Sequence, residues 1–261
     1  MTTARGRLDQ KVAVVTGAGS GIGRATAERF GAEGALVVVN DLHPDTAAAT
    51  ADAITAAGGE AIAVAADVTD HAQVDALIAQ AVEHYGRLDV MHNNAGGAFP
   101  TPLLEIGPDE YRRQVALNLD GVWFGTVAAL RVMVEQGSGV ILTTSSGAGL
   151  GAEPGLAVYG ACKAAVINLA RNVAVEYGPM GIRANVISPG PMDTPALRAW
   201  LDTLPGGADP YEAQVPIGRL GTALDIADAA VFLASDEAAF VSGAVLAVDG
   251  AIHARLASPR T

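Results

Sequence analysis

Two short β-branched runs, Val12-Ala13-Val14-Val15-Thr16 and Leu36-Val37-Val38-Val39-Asn40-Asp41, flank Gly17-Ala18-Gly19-Ser20-Gly21-Ile22-Gly23 and a mixed stretch. Unbroken apolar runs, rather than alternating ones, suit parallel strands buried on both faces. Between them, residues 24–33 carry Ala25, Ala27 and Phe30 among Arg24, Glu28, Arg29 and Glu33, the composition of a helix with one face on a sheet. Strand, glycine turn, helix and strand make a βαβ unit, and the rest of the chain has to extend a sheet of that kind.

A chain that turns sharply from strand into helix needs positive φ or close backbone approach at several positions, and glycine permits both. The unpaired N–H groups and dipole at the helix start then form an anion site suited to the pyrophosphate of a dinucleotide. The spacing is G-x-x-x-G-x-G, because Ile22 stands where the common G-x-G-x-x-G fingerprint has its last glycine. Preceded by Thr16, it resembles the cofactor loop of the short-chain dehydrogenase/reductase family, a Rossmann-type group. The candidate cofactor contacts of this loop are Gly17, Ser20, Gly21, Ile22 and Gly23. Asp41 ends the second strand, where a carboxylate can accept hydrogen bonds from the adenosine ribose and repel a 2′-phosphate. No Lys or Arg occupies Asn40, Leu42 or His43, so NAD is expected over NADP, with Leu42 beside the adenosine. Asp41 could instead cap the next helix, although Asp45 after Pro44 is an equal candidate there.

The chain has 261 residues, half of them hydrophobic, and one doubly wound α/β domain accounts for it, with short tails at 1–8 and 252–261. A formal net charge of -12 disfavours nucleic acid, anionic membranes and highly anionic substrates. With no apolar leader in residues 1–10 and no apolar run approaching a membrane span, a cytoplasmic protein is expected. The single Cys162 cannot form an internal disulfide, and the histidines at 43, 71, 84, 92 and 253 show no ligand spacing, so no metal is expected.

Further βα units follow. Helices are expected at residues 44–57, 71–85 and 223–234, with two more stretches within 108–136, and strands at 61–66, 88–92, 140–144, 181–187 and 244–248. Asn118 sits in mid-helix, an unfavourable place that implies a polar partner inside. Tyr159 and Lys163 lie four residues apart, on one helix face. A tyrosine near pKa 10 must drop about 3 units, or about 4 kcal/mol, to act as a base at neutral pH. An ammonium about 4 Å away at an effective dielectric of about 20 supplies roughly that amount.

With Ser146 thirteen positions before Tyr159, Asn118, the glycine loop and Asn93-Asn94-Ala95-Gly96 in order, residues 8–251 resemble the compact, single-domain branch of the same family. The resemblance implies a Rossmann-type, doubly wound, seven-stranded parallel sheet with helices on both faces. It implies Tyr159 as general acid/base, Lys163 lowering its pKa and binding the nicotinamide ribose, Ser146 on the reacting oxygen, and Asn118 holding a water in a proton relay. Ser145 competes with Ser146, but the spacing to Tyr159 favours Ser146. Asp67 and Val68 would contact adenine, Asn94, Ala95 and Gly96 the adenosine side, and Pro189, Gly190, Met192 and Thr194 the nicotinamide amide. Residues 195–215 would form a substrate lid, and Ala251 stands where relatives carry a second glycine. The expected activity is interconversion of a neutral, hydrophobic or cyclic secondary alcohol and its ketone by a homo-oligomer, a tetramer or a dimer as is usual in the family, with the tetramer favoured. A 3-oxoacyl thioester reductase using NADPH and a non-catalytic NAD(H)-binding sensor are the alternatives.

Overall fold

The computed structural model describes residues 6–194, 197–198, 201–202 and 207–254. Among these, β1 (Val12–Val15), β2 (Leu36–Asp41), β3 (Glu60–Ala65), β4 (Val90–Asn93), β5 (Gly139–Thr144), β6 (Ile182–Pro189) and β7 (Val245–Val248) form one sheet in the order β3-β2-β1-β4-β5-β6-β7. Every pairing is parallel, with Val14 opposite Val38 on one side and Met91 on the other. The helices are α1 (Gly21–Ala32), α2 (Pro44–Ala56), α3 (His71–Tyr85), α4 (Pro108–Val115), α5 (Gly121–Gln136), α6 (Ala157–Tyr177), α7 (Asp209–Glu212) and α8 (Ala223–Ala234). This is the expected Rossmann-type, doubly wound arrangement.

The unbroken apolar strands are explained by two cores. Val15, Val37 and Val39 meet Phe30 of α1, Ile54 of α2 and Ile226 of α8 on one face. Val14, Val38, Met91 and Ile141 meet Leu77 of α3, Met133 of α5 and Ile167 of α6 on the other. Alternate residues of each strand serve alternate cores, and each fully buried aliphatic side chain contributes on the order of 2 kcal/mol relative to exposure. Because β1 lies between β2 and β4, strand order reverses there, which opens a crevice at the C-terminal ends of β1 and β4.

Several boundaries differ from the sequence reading, for local reasons. β4 starts at Val90 and not Leu88 because the Gln136 amide captures Leu88, accepting from its N–H at 2.9 Å and donating to its carbonyl at 2.8 Å. β6 begins after Gly181, whose φ of 78° belongs to the preceding turn, and continues through Ser188 and Pro189, which pair with Ala247 and Val248. Residues 108–136 form one continuous helical stretch in which Ala116–Asp120 is a π-helix joining α4 and α5. Pro108–Gln136 is long and apolar enough to cross a membrane by length and composition, with mean hydropathy 1.3 over a window half buried in the protein, although Asp120, Arg131 and Glu135 interrupt its apolar residues. Val122, Ala129 and Met133 account for much of that hydropathy and are buried, α5 packing against β4 and β5.

The tail expectations meet a packed chain where it is described. Leu8 is fully buried in the first core, and residues 1–5 and 255–261 lie outside the described residues. So do Trp200, Leu204, Pro205 and Gly206 of the expected lid, while Leu201 is fully buried.

Candidate active site

Seven parallel strands deliver their C-terminal ends to one edge, and the residues singled out from sequence sit there. The loop after β1 holds Gly17 at φ 62° and Gly21 at φ 55°. A Cβ on Gly23 would strike the Gly17 carbonyl and stand 2.6 Å from Asn94 Nδ2, so α1 can start this close to the loop only without a side chain there. Ser20 is the N-cap of α1, yet its hydroxyl makes no capping bond to the helix, which keeps it at the exposed rim beside Gly21. Ile22 is half-buried behind them.

Asp41 faces this loop. Its Oδ2 accepts from Gly19 N at 2.9 Å, and its Oδ1 accepts from His43 N and Thr46 Oγ1, each at 3.0 Å. Both readings of Asp41 therefore meet in one carboxylate, which braces the start of α2 while standing at the glycine loop. Asp45, by contrast, lies inside the first turn of α2 and caps nothing there; the N-cap position is His43. An ionised carboxylate offers about four acceptor sites, so three bonds leave room for one more donor, such as a ribose hydroxyl. Leu42 next to it is 58% exposed, unusual for a leucine and open to a flat apolar ligand. After β3, Asp67 Oδ1 accepts from Thr69 N and Oγ1 at 2.8 Å, whereas Asp70 caps α3, so Asp67 is a turn-former and not the cap. Val68 packs against Gly121, where a Cβ would come within 3.1 Å of it.

After β4, Asn94 is locked to β1: its N–H and that of Ala95 both donate to Thr16 Oγ1, and Nδ2 donates to the Thr16 carbonyl. Asn93 points the other way and donates to Thr126 of α5. Gly96 shows why no side chain is tolerated at this point. A Cβ there would stand 2.9 Å from Asn118 Oδ1 and 3.1 Å from Lys163 Nζ, so the missing methyl lets the loop after β4, the π-helix and α6 share one pocket. Asn118, fully buried in the π-helix, donates to the carbonyls of Gly97 and Gln114 and accepts from Gly97 N. Its inner polar partner is thus the backbone of the Asn-Asn-Ala-Gly loop. Local π turns of this sort commonly accompany functional sites.

The two serines after β5 divide. Ser145 donates to the Lys163 carbonyl at 2.8 Å and is buried, a bond that ties β5 to α6. Ser146 accepts from Ala148 N at 3.2 Å, and its hydroxyl stands near enough to the Tyr159 phenol to favour the ionised form. Lys163 Nζ donates to the Thr144 carbonyl at 2.9 Å and lies 5.5 Å from the Tyr159 ring centroid. Burial pushes Lys163 down to about 8. Burial also pushes the Tyr159 phenol up, the Ser146 hydroxyl pulls it back in part, and the charge of Glu153 raises it. In the protein alone, burial is the largest influence on the phenol and acts upward, while the Lys163 ammonium is held on the Thr144 carbonyl. Cys162 is buried beside Lys163, and burial pushes its thiol up, which fits a packed side chain and not a nucleophile.

Pro189 ends β6 and Gly190 N donates to the Val248 carbonyl, closing the floor on the β7 side. Met192 is buried against Gly221, and Thr194 Oγ1 accepts from Leu197 N. Thr16 and Thr144 are positioning groups that sequence reasoning passed over, because a strand-end threonine carries no spacing signal. His92 was legible as a polar intruder in an apolar strand. It is fully buried, bonded through Nε2 to Thr144 Oγ1, which donates to Asn94, and burial lowers it to about 4.

The arrangement has the parts a nicotinamide dinucleotide needs: a glycine cradle that side chains would fill, a carboxylate beside it, and a phenol, hydroxyl and ammonium grouped at the far end. A family model described as Enoyl-(Acyl carrier protein) reductase matches residues 17–253. The chain is 40% identical to a 2,5-dichloro-2,5-cyclohexadiene-1,4-diol dehydrogenase of Sphingobium indicum, over 94% of this chain and 96% of that protein. It is 44% identical to a cis-4-hydroxycyclohexanecarboxylate dehydrogenase of Sinomonas cyclohexanicum, over 92% and 96%. The crystal structure of levodione reductase superposes with a TM-score of 0.90 at 36% identity, over 95% of this chain and 99% of that one. Fold, motif order and relatives agree that the chain belongs to the short-chain dehydrogenase/reductase family of oxidoreductases.

Proposed function

We propose that the protein is an NAD-dependent oxidoreductase that interconverts a secondary alcohol, cyclic or otherwise hydrophobic, and its ketone. The observation that carries this reading is the meeting of buried Lys163 and Asn118 at the missing side chain of Gly96, with Lys163 Nζ 5.5 Å from the Tyr159 ring and Ser146 beside the phenol. Ser146 holds the substrate oxygen and Tyr159 takes its proton. Lys163, still mostly protonated at neutral pH with its value near 8, steadies the resulting phenolate and binds the nicotinamide ribose. Asn118 keeps the Gly96-Gly97 backbone clear of that ammonium and stands in the proton relay. Bound NAD supplies the hydride acceptor and a positive ring beside the phenol. Gly17, Ser20, Gly21, Ile22, Gly23, Asp41, Leu42, Asp67, Val68, Asn94, Ala95 and Gly96 take the adenosine and pyrophosphate side, and Pro189, Gly190, Met192 and Thr194 the nicotinamide.

The same reading makes residues 1–261 one catalytic unit, working in the cytoplasm as a homo-oligomer, a tetramer by preference or a dimer. Tyr111 of α4, Trp123 of α5 and Val175 of α6 are large apolar side chains left exposed, in keeping with helix faces that meet a second copy. The test is NADH formation from NAD across a panel of neutral secondary alcohols and cyclic diols, with the matching ketones run in reverse. Turnover is expected with ring alcohols. Tight NADH binding with no turnover in either direction would favour a sensor, and turnover restricted to acyl-carrier thioesters would favour the thioester reductase.

The two serines give a separate check. Ser146→Ala should cut kcat by about 10²-fold, the scale of losing one donor to a reacting oxygen, with little effect on melting. Ser145→Ala should cost about 1 kcal/mol of stability, because the Lys163 carbonyl loses its partner, while kcat changes less than tenfold. Denaturant unfolding and steady-state kinetics on both variants measure this, and the reverse pattern would hand the role to Ser145.

A further inference from the structure

The turn after β7 brings to the cleft a polar pair that the proton transfer does not use. Asp249 backs Gly190, where a Cβ would stand 2.6 Å from the Asp249 Cα. The Asp249 carboxylate accepts from Ala251 N at 2.9 Å, from His253 N at 3.2 Å and from His253 Nδ1 at 2.9 Å. A carboxylate is acceptor-only, so Nδ1 carries the hydrogen and Nε2 of the neutral ring presents a lone pair. The chain reaches this geometry through Ala251 at φ 70°, the left-handed conformation that a glycine would adopt without strain.

The opposite edge of the ring lies on Gly147, the residue after Ser146. A Cβ on Gly147 would overlap His253 Cε1 and lie 2.5 Å from Nε2, so the imidazole occupies the space a side chain would fill. It is thereby packed on the Ser146-Gly147 turn, while Asp249, which orients it, backs Gly190. The Asp249 side chain is 7% exposed and that of His253 32%, so a buried carboxylate orients a ring that remains partly open. Burial pushes Asp249 up, but the bonds from His253 and Ala251 outweigh it and leave the carboxyl below its ordinary value. The carboxylate therefore stays ionised and keeps the ring oriented at neutral pH.

We propose that His253, oriented by Asp249, is a specificity-determining residue whose Nε2 accepts a hydrogen bond from a second hydroxyl of the substrate, making the enzyme selective for diols over matched mono-alcohols. The inference rests on the alcohol-oxidoreductase reading above. A carboxylate-bearing alcohol is the competing occupant, since a protonated ring could donate to it. The diol is favoured because such a substrate would bring its charge up to Asp249, and because Glu153 acts electrostatically on both Tyr159 and Tyr211 at the same cleft. A neutral hydroxyl meets no such repulsion.

The experiment compares kcat/KM for cyclohexane-1,2-diol and cyclohexanol, and for butane-2,3-diol and butan-2-ol, with 4-hydroxycyclohexanecarboxylate as the anionic arm. Wild type, His253→Leu and His253→Gln are run side by side. Wild type should favour each diol by roughly tenfold or more, the scale of one hydrogen bond to an otherwise unpaired acceptor. His253→Leu should erase the preference and leave the mono-alcohols within about threefold, and His253→Gln, which retains an acceptor, should restore part of it. An equal fall for diol and mono-alcohol would make His253 a structural residue and overturn the inference. A preference for the carboxylate that vanishes in His253→Leu would overturn it too. Mono-alcohol turnover with no diol preference in wild type removes this inference alone, whereas no turnover of any alcohol or ketone removes the oxidoreductase reading and this inference with it.

Discussion

Tyr159→Phe should lower kcat for alcohol oxidation by about 10³-fold, while NADH affinity and melting temperature stay close to wild type. General acid/base groups are worth 10²- to 10⁴-fold, and about 10³-fold is the middle of that range. Ser146 Oγ, beside the phenol, accepts from Ala148 N, and Lys163 is anchored separately on the Thr144 carbonyl. Removing one oxygen therefore deletes the proton acceptor without freeing its neighbours, and phenylalanine keeps the ring in place. The pH profile adds a second readout. The working base is the deprotonated phenol, and burial raises its pKa in the free protein, so wild-type oxidation should accelerate from neutral to alkaline pH. In the variant that rise should disappear. Retention of more than about a tenth of the rate, or an unchanged pH dependence, would place the base elsewhere.

The fold was legible because both cores leave unbroken β-branched runs in sequence, and because glycines and caps mark helix ends. Those signals located α3 and α8 to the residue. They misplaced β4, since nothing local to Leu88 announces that Gln136, far along the chain, will capture its backbone. The catalytic grouping was legible through spacing: a four-residue step on α6 and a fixed distance back to Ser146. The π turn at Asn118 was visible only as an asparagine in the wrong place for a helix, and its partner, the Gly97 backbone, was not visible at all. The same holds for His253. Its pairing with Asp249 depends on the turn through Ala251, and its contact with Gly147 joins parts of the chain more than a hundred residues apart. Electrostatics was the least legible layer, because the balance at Tyr159 is set by how much water the fold removes, and sequence gives the charges without the burial.

Asp41→Asn should reduce discrimination against NADP by about 10²-fold, and Asp41→Ala should do the same while also weakening NAD. The repulsion between a carboxylate and a 2′-phosphate a few ångströms away, at an effective dielectric of about 20, is on the order of 3 kcal/mol, which corresponds to about 10²-fold. The carboxylate has a second duty that the alanine variant also removes: it accepts from Gly19 N, His43 N and Thr46 Oγ1 and so braces the glycine loop against α2. Asparagine discards the charge but keeps one acceptor oxygen, which can serve either Gly19 N or the His43 and Thr46 pair, so it retains part of the brace that alanine loses entirely. If kcat/KM with NADP rises in Asp41→Asn while the NAD value falls less than about threefold, charge sets cofactor choice. If instead both variants lose NAD equally and neither gains NADP, Asp41 is a loop brace and the preference for NAD must come from elsewhere. The brace alone cannot produce a gain with NADP, because loosening the loop weakens whatever phosphate it holds; a rise with NADP therefore identifies repulsion as what is lost.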